Sequence, residues 1–214
     1  MRDLYEFVLN NRELIWRETI NHMWLVGVST TLGLIIALPL GILLSRKKSV
    51  AKYVLAIVGV IQTIPGLVLL GFAMLIFGVG TKPAMVVLTL YSILPTLQNT
   101  YTGIIQVDRG CVESAKGIGM SKIQILFKIE IPLALPSIAV GFRMSVIYII
   151  SWATLAGLIG AGGLGDLIWT GLATYENNYI IVGAVLAAVL AIVLGSVIEG
   201  IQGLLTPRGM KIGR

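Results

Sequence analysis

"GLIGAGGLGDL", residues 157–167, decides between two folds. Gly160, Gly162 and Gly165 fit G-x-G-x-x-G, which marks a dinucleotide-binding turn when a strand precedes it and a helix follows. Read that way, the chain is a membrane-embedded redox subunit holding a nucleotide. Read otherwise, the glycines serve a tight turn between helices. The first reading needs a preceding strand and a parallel-sheet pattern, and the sequence offers neither. It also needs an acidic residue about 20 positions on to bind a ribose. The acids that follow are Asp166, Glu176 and Glu199, at the wrong spacings.

Working outward, the composition supports the second reading. Of 214 residues, 57% are hydrophobic and 12% charged, and the mean hydropathy is +0.93. A soluble domain carries about 25% charged residues. A soluble chain of this length could not hide so much apolar surface, so the expected class is an all-α membrane protein. The charges cut the chain into apolar runs, and a helix needs about 20 apolar residues to cross the hydrocarbon core. Five spans are expected, over 22–45, 53–78, 83–105, 133–157 and 180–202. Strands of a membrane barrel would alternate with period two, and these runs do not. Pro39, Pro65 and Pro95 are internal and expected to kink helices, with "QTIPGL" (62–67) the expected break in span two. Neighbouring helices can satisfy the carbonyls that such prolines free.

The net charge of +6 acquires meaning on this topology. Arg46, Lys47, Lys48 and Lys52 follow span one. Arg109, Lys116, Lys122 and Lys128 follow span three, and Arg208, Lys211 and Arg214 follow span five. These eleven cations share one side, against Arg2, Arg12, Arg17 and Lys82 on the other. The positive-inside rule places the eleven in the cytoplasm and the N-terminus outside. Residues 1–20 read as an amphipathic segment on the outer surface, or as an extension of span one. No signal peptide is expected. The single cysteine, Cys111, allows no internal disulfide, and the lone His22 has no neighbouring metal ligand.

The longest polar segment is the loop between spans three and four, "DRGCVESAKGIGMSKIQILFKIEIPLALPSI" (108–138). A short helix is expected with Glu113 near its start and Gly119 as its C-cap. A second helical run, 121–130, leads to Pro132 and span four. Ile118, Met120, Ile123, Ile125, Leu126 and Phe127 are too apolar for a merely solvated loop, and such a helix on a cytoplasmic loop suits docking into another protein.

Here the chain resembles the permease subunits of type I ABC importers. Glu113-Ser114-Ala115, Gly119 and Ile129-Glu130-Ile131-Pro132 match the family pattern E-A-A-x3-G-x9-I-x-L-P, with Ser114 and Ile131 as departures. The resemblance implies a MetI-like transmembrane domain over 21–205, with a coupling loop at 108–132 and a cytoplasmic tail at 206–214. It implies that Glu113, Ser114, Ala115, Lys116, Gly117, Gly119 and Met120 dock in a separate ABC ATPase, present in two copies. No phosphate-binding loop occurs in the sequence, so ATP and magnesium are expected on that partner, with no cofactor or metal on this chain and no catalytic residue. A second permease chain, identical or paralogous, and an external substrate-binding protein complete the expected assembly. "NTYTGI" (99–104), "ESAKGIGMS" (113–121), "IYIISWATLAGLIGAGGLGD" (147–166) and "TPRG" (206–209) are similar to permeases of osmoprotectant uptake systems, which import glycine betaine, carnitine or choline. Related permeases serve methionine or other small solutes on the same core. An autonomous secondary transporter would leave the coupling loop unexplained.

Three further expectations concern the pathway. Gly160, Gly162, Gly163 and Gly165 form a re-entrant turn at the outer gate. Trp152, Tyr148, Tyr91 and Trp169 are aromatics that could meet a quaternary ammonium cation, and Pro65 is counted among the pathway residues. Arg143, the one charge in the middle of span four, is expected to bond carbonyls or reach toward the coupling loop, because an Arg facing the pathway would repel a cation. "TYENNY" (174–179) is expected on the surface that meets the binding protein.

Overall fold

The computed structural model describes residues 2–205, and these contain helices and no strand. The "TPRG" stretch and the tail cations Arg208, Lys211 and Arg214 lie outside the described residues. The helices are α1 (Arg2–Asn10), α2 (Arg12–Ser45), α3 (Lys48–Thr63), α4 (Gly66–Phe77), α5 (Thr81–Ile105), α6 (Arg109–Gly117), α7 (Lys122–Ile125), α8 (Ile131–Ala156), α9 (Leu164–Thr174) and α10 (Asn177–Leu205). A π-helical turn, Leu126–Glu130, joins α7 to α8, and a 3-10 turn, Gly157–Ile159, extends α8. No strand precedes the glycines, which removes the dinucleotide-binding fold.

Among the described residues, three helical stretches are long and apolar enough to cross a membrane: Arg12–Ser45, Lys122–Ile159 and Asn177–Leu204. The α3–α4 pair makes a fourth if counted as one broken span, bent by 92°. The break falls at Ile64-Pro65, within the stretch where the sequence places it. α5 is less apolar because it is the central helix. Val87, Leu88, Ser92, Thr96, Leu97 and Thr100 are all buried, so it presents less surface that must match lipid.

α2, α5 and α8 pack through small and hydroxyl residues, as membrane helices do when lipid removes the hydrophobic drive between them. Ser92 Oγ donates to Ser29 O on α2 at 3.1 Å. Ser145 Oγ of α8 donates to Ser92 O at 2.7 Å, and Thr96 Oγ1 lies 2.9 Å from Ser145 Oγ. A Cβ on Gly33 would lie 1.8 Å from Ser92 Oγ. The apolar core around this seam runs from Leu25 and Val26 through Leu88 and Tyr91 to Ile149 and Ile150.

The proline effects divide. Pro39 and Pro95 sit inside continuous helices. Pro95 lacks an N–H, so Tyr91 O has no α-helical partner, and Gln62 Nε2 donates to it at 2.9 Å.

The N-terminal segment differs from a single amphipathic helix over 1–20. It breaks at Asn11. α1 lies over the start of α10, with the Phe7 ring edge-on to Tyr179 at 4.6 Å. Residues 12–20 instead form the first turns of α2. The buried face of α2 explains this: Glu18, His22, Leu25, Ser29, Gly33, Ala37, Gly41 and Leu44 recur at helical spacing without interruption. The charged stretch is therefore the same inward stripe as the apolar span.

Candidate functional site

The bundle has two ends. One carries α6 and the start of the α7–α8 helix; the other carries the glycine turn.

At the first end, α6 begins four residues before Glu113, so Glu113 lies mid-helix rather than at its start. Asp108 explains the shift, since its carboxylate accepts from Cys111 N at 3.0 Å as the N-cap. The C-terminal cap is the one the sequence indicates. Gly119 has φ +81°, its N–H donates to Lys116 O at 2.9 Å, and Met120 N–H donates to Ala115 O at 3.1 Å. This paired pattern is the Schellman motif, which needs a left-handed residue after the helix. Ala115 is buried, whereas Glu113, Ser114, Lys116 and Gly117 face outward and Met120 is half-buried. Ser121 and Gln124 form a capping box that restarts the chain as α7. Ile118, Ile123 and Phe127 are 80%, 70% and 62% exposed. These apolar side chains stand open beside the capped helix.

Under α6 lies a contact that the sequence reading missed. Arg46 follows α2, and its Nη1 donates to Glu130 Oε1 at 2.8 Å. Its Nη2 donates to Glu130 Oε2 as the second arm. Glu130 is 6% exposed, and the hydrogen bond to it holds the Arg46 guanidinium protonated even more firmly than usual. A cavity of about 350 Å³ beside the pair is lined by Arg46, Lys48, Arg109, Glu113, Lys116 and Glu130. The only hint in the sequence is an acid at the foot of span four and a cation at the foot of span one.

At the other end, Gly160, Gly162 and Gly163 have φ +70°, +75° and +83°, a region closed to most side chains. Gly160 N–H donates to Gly157 O at 3.0 Å and Ala161 N–H to Ala156 O at 3.1 Å. The turn leads not to an open segment but to α9, an element absent from the sequence reading. Gly165 has a different role from the other three: a Cβ there would sit 2.0 Å from Thr154 O, so it lets α9 fold back onto α8. Trp169 Nε1 then donates to Thr154 O at 3.1 Å. Glu18 Oε2 accepts from Gly163 N at 2.8 Å. His22, fully buried, places Nε2 3.2 Å from Ile150 O. Among the described residues no group of acids, histidine and cysteine could hold a metal ion.

The structure brings Tyr91, Trp152 and Pro65 together and leaves Tyr148 apart from that cluster. Tyr91 stacks on Trp152 at 4.8 Å and 18°, and its hydroxyl donates to Ile64 O at the helix break. A Cβ on Gly66 would lie 1.9 Å from the Trp152 ring. Tyr91 is 4% exposed. These aromatics therefore hold the break between α3 and α4, while Tyr148 is exposed.

Among the described residues, Arg143 bonds neither a carbonyl nor the coupling loop. Its Nη2 lies 2.9 Å from Glu199 Oε2 on α10. α8 and α10 run side by side, so the opposite charge at the same depth is the nearer partner. Gln202 Nε2 makes a second contact between them, donating to Pro136 O at 3.3 Å.

The comparisons agree on the family. Residues 29–211 match the model of the binding-protein-dependent transport system inner membrane component. The chain is 44% identical over 211 residues to the choline transport system permease protein OpuBB of Bacillus subtilis (strain 168), covering 99% of this chain and 97% of that one. It is equally similar, 44% over 211 residues, to the glycine betaine/carnitine/choline transport system permease protein OpuCB of the same organism, with the same coverage. Among solved structures, an inward-facing MetNI methionine ABC transporter chain superposes with a TM-score of 0.82 at 24% identity, covering 92% of this chain and 99% of that one. That likeness concerns the fold.

Proposed function

The chain belongs to the family of binding-protein-dependent transport system inner membrane components, and from that premise we propose that it is the permease of an ATP-driven importer of quaternary ammonium osmoprotectants. The observation that carries the proposal is α6, a short helix fixed at both ends by its caps and flanked by exposed Ile118, Ile123 and Phe127. Such a surface requires a partner, and the partner must supply the ATP hydrolysis that this sequence has no phosphate loop to perform.

In this reading α3–α4 and α5 both cross the membrane, giving five crossings. The positive-inside rule sets α6 in the cytoplasm and α1 outside. Two cytoplasmic ABC ATPase copies, carrying ATP and magnesium, receive Glu113–Met120. A second permease chain closes the pathway, because one five-span bundle does not enclose gates at both ends. The glycine turn lies near the outer mouth, and an external binding protein docks beside residues 174–179. The substrate class follows relatives named for choline, glycine betaine and carnitine. These solutes share a quaternary ammonium group, and the family resemblance assigns selectivity mainly to the external binding protein.

The test is reconstitution of the permease with its ATPase and binding protein in liposomes, reading uptake of radiolabelled choline, glycine betaine and carnitine. ATP-dependent uptake that needs all components is expected. Transport by this chain alone would overturn the proposal.

A further inference from the structure

The glycine turn hangs between α8 and α9, yet the group that receives its Gly163 N–H comes from α2. Glu18 is 4% exposed, and its Oε2 accepts from Gly163 N at 2.8 Å. The same oxygen takes Asn21 Nδ2 at 3.4 Å, and Oε1 takes Arg17 Nε at 3.0 Å. The fit around it is close. A Cβ on Gly162 would come 3.3 Å from Glu18 Oε2, and one on Gly163 would come 3.1 Å from His22 Nδ1. A buried carboxylate is costly unless it is bonded, and here its buried bond is to the backbone of the turn. Hydrogen bonds to a charged acceptor are the strong ones. The turn cannot shift relative to α2 without breaking this one.

We infer that Glu18 is a positioning residue for the glycine turn, anchoring Gly163 to α2 so that the turn moves only when α2 and the α8–α9 corner part. The inference rests on the proposed importer for its consequence, which is that transport and ATP hydrolysis stay coupled only while this anchor holds. It rests on geometry alone for the anchor itself.

The experiment uses the assembled transporter in liposomes, with Cys111→Ser and Ala161→Cys as the parent. Ala161 is 8% exposed, so its labelling by a membrane-impermeant maleimide reports opening of the turn. Glu18→Ala is expected to speed labelling by about tenfold, the population shift that loss of one charge-assisted bond produces. Glu18→Gln, whose amide oxygen still accepts from Gly163 N but as a neutral acceptor, is expected to label at a rate between the parent and Glu18→Ala. Should Glu18→Ala not assemble, Glu18→Asp shortens the reach by one methylene and carries the same expectation as the alanine. Solute moved per ATP should fall with the rise in labelling. Parent-like labelling of the anchor-less variant, or equally fast labelling of Glu18→Gln, overturns the inference. Labelling needs no substrate, so failure of the parent to take up any quaternary amine counts against the transport reading and leaves the anchor separately decided.

Discussion

Arg46 and Glu130 lie 84 positions apart and meet as a two-armed ion pair that ties the end of α2 to the foot of α8. The pair sits behind α6, whose Glu113 and Lys116 line the same cavity. Glu130→Ala leaves Arg46 beside a vacated buried site. A loss of about 1–3 kcal/mol is expected, with the lower end favoured because Arg46 is partly exposed. Exchanging the charges, Arg46→Glu with Glu130→Arg, should recover part of the loss. Thermal stability of the purified complex for the two single variants and the double variant measures this, and a double variant no better than the worse single one would falsify the pairing as the source of the effect.

The cap at Gly119 makes a second prediction. Its φ of +81° makes a β-branched residue there costly by about 1–2 kcal/mol. Gly119→Val should loosen α6 and reduce ATPase binding while leaving the transmembrane bundle folded. Co-purification of the ATPase at fixed permease yield is the readout. Wild-type recovery of the ATPase would show that α6 does not depend on this cap for docking.

At the helix break, Gly66 and Trp152 are matched in shape. Gly66→Ala places a methyl where the indole lies, so Trp152 must leave its stack on Tyr91. The damage should be partly relieved by Trp152→Leu in the same chain, with a coupling on the order of 0.5–3 kcal/mol between the two sites. Thermal stability of the purified complex tests it, and strictly additive losses would mean that the ring and the glycine act independently.

Arg143 and Glu199 give a prediction with an unusual sign. Removing Arg143 alone leaves Glu199 without its facing partner on an apolar span, where a lone charge is costlier than removing both. Arg143→Ala should therefore lower the yield of assembled permease more than Arg143→Ala with Glu199→Ala. Size-exclusion yields decide it; a double variant that is the poorest of the set excludes the ion pair as the reason for Arg143.

The glycine turn supplies the last. Gly163→Val meets both a left-handed backbone and His22. Uptake should fall severely, yet ATPase binding at the opposite end should persist, because the two ends share only the long helices. Loss of ATPase binding in this variant would show instead that the whole bundle had failed.

The long helices, the break at Ile64-Pro65, the short helix of the 108–138 loop and the Gly119 cap were legible because each follows from local rules. An apolar segment in lipid must satisfy its own backbone, so it becomes a helix, and a left-handed cap calls for glycine within a few residues of the helix it ends. Spacing and hydropathy carry that information along the chain. What only the tertiary structure decided is which distant polar groups meet. Glu18 reaches Gly163 across 145 positions, Arg46 finds Glu130, and Arg143 finds Glu199 rather than a carbonyl. The same packing extends α2 back to Arg12 and folds α9 onto α8. None of these has a local signal, because a charge shows in the sequence only as a cost. The partner that offsets it is set by which helices lie side by side.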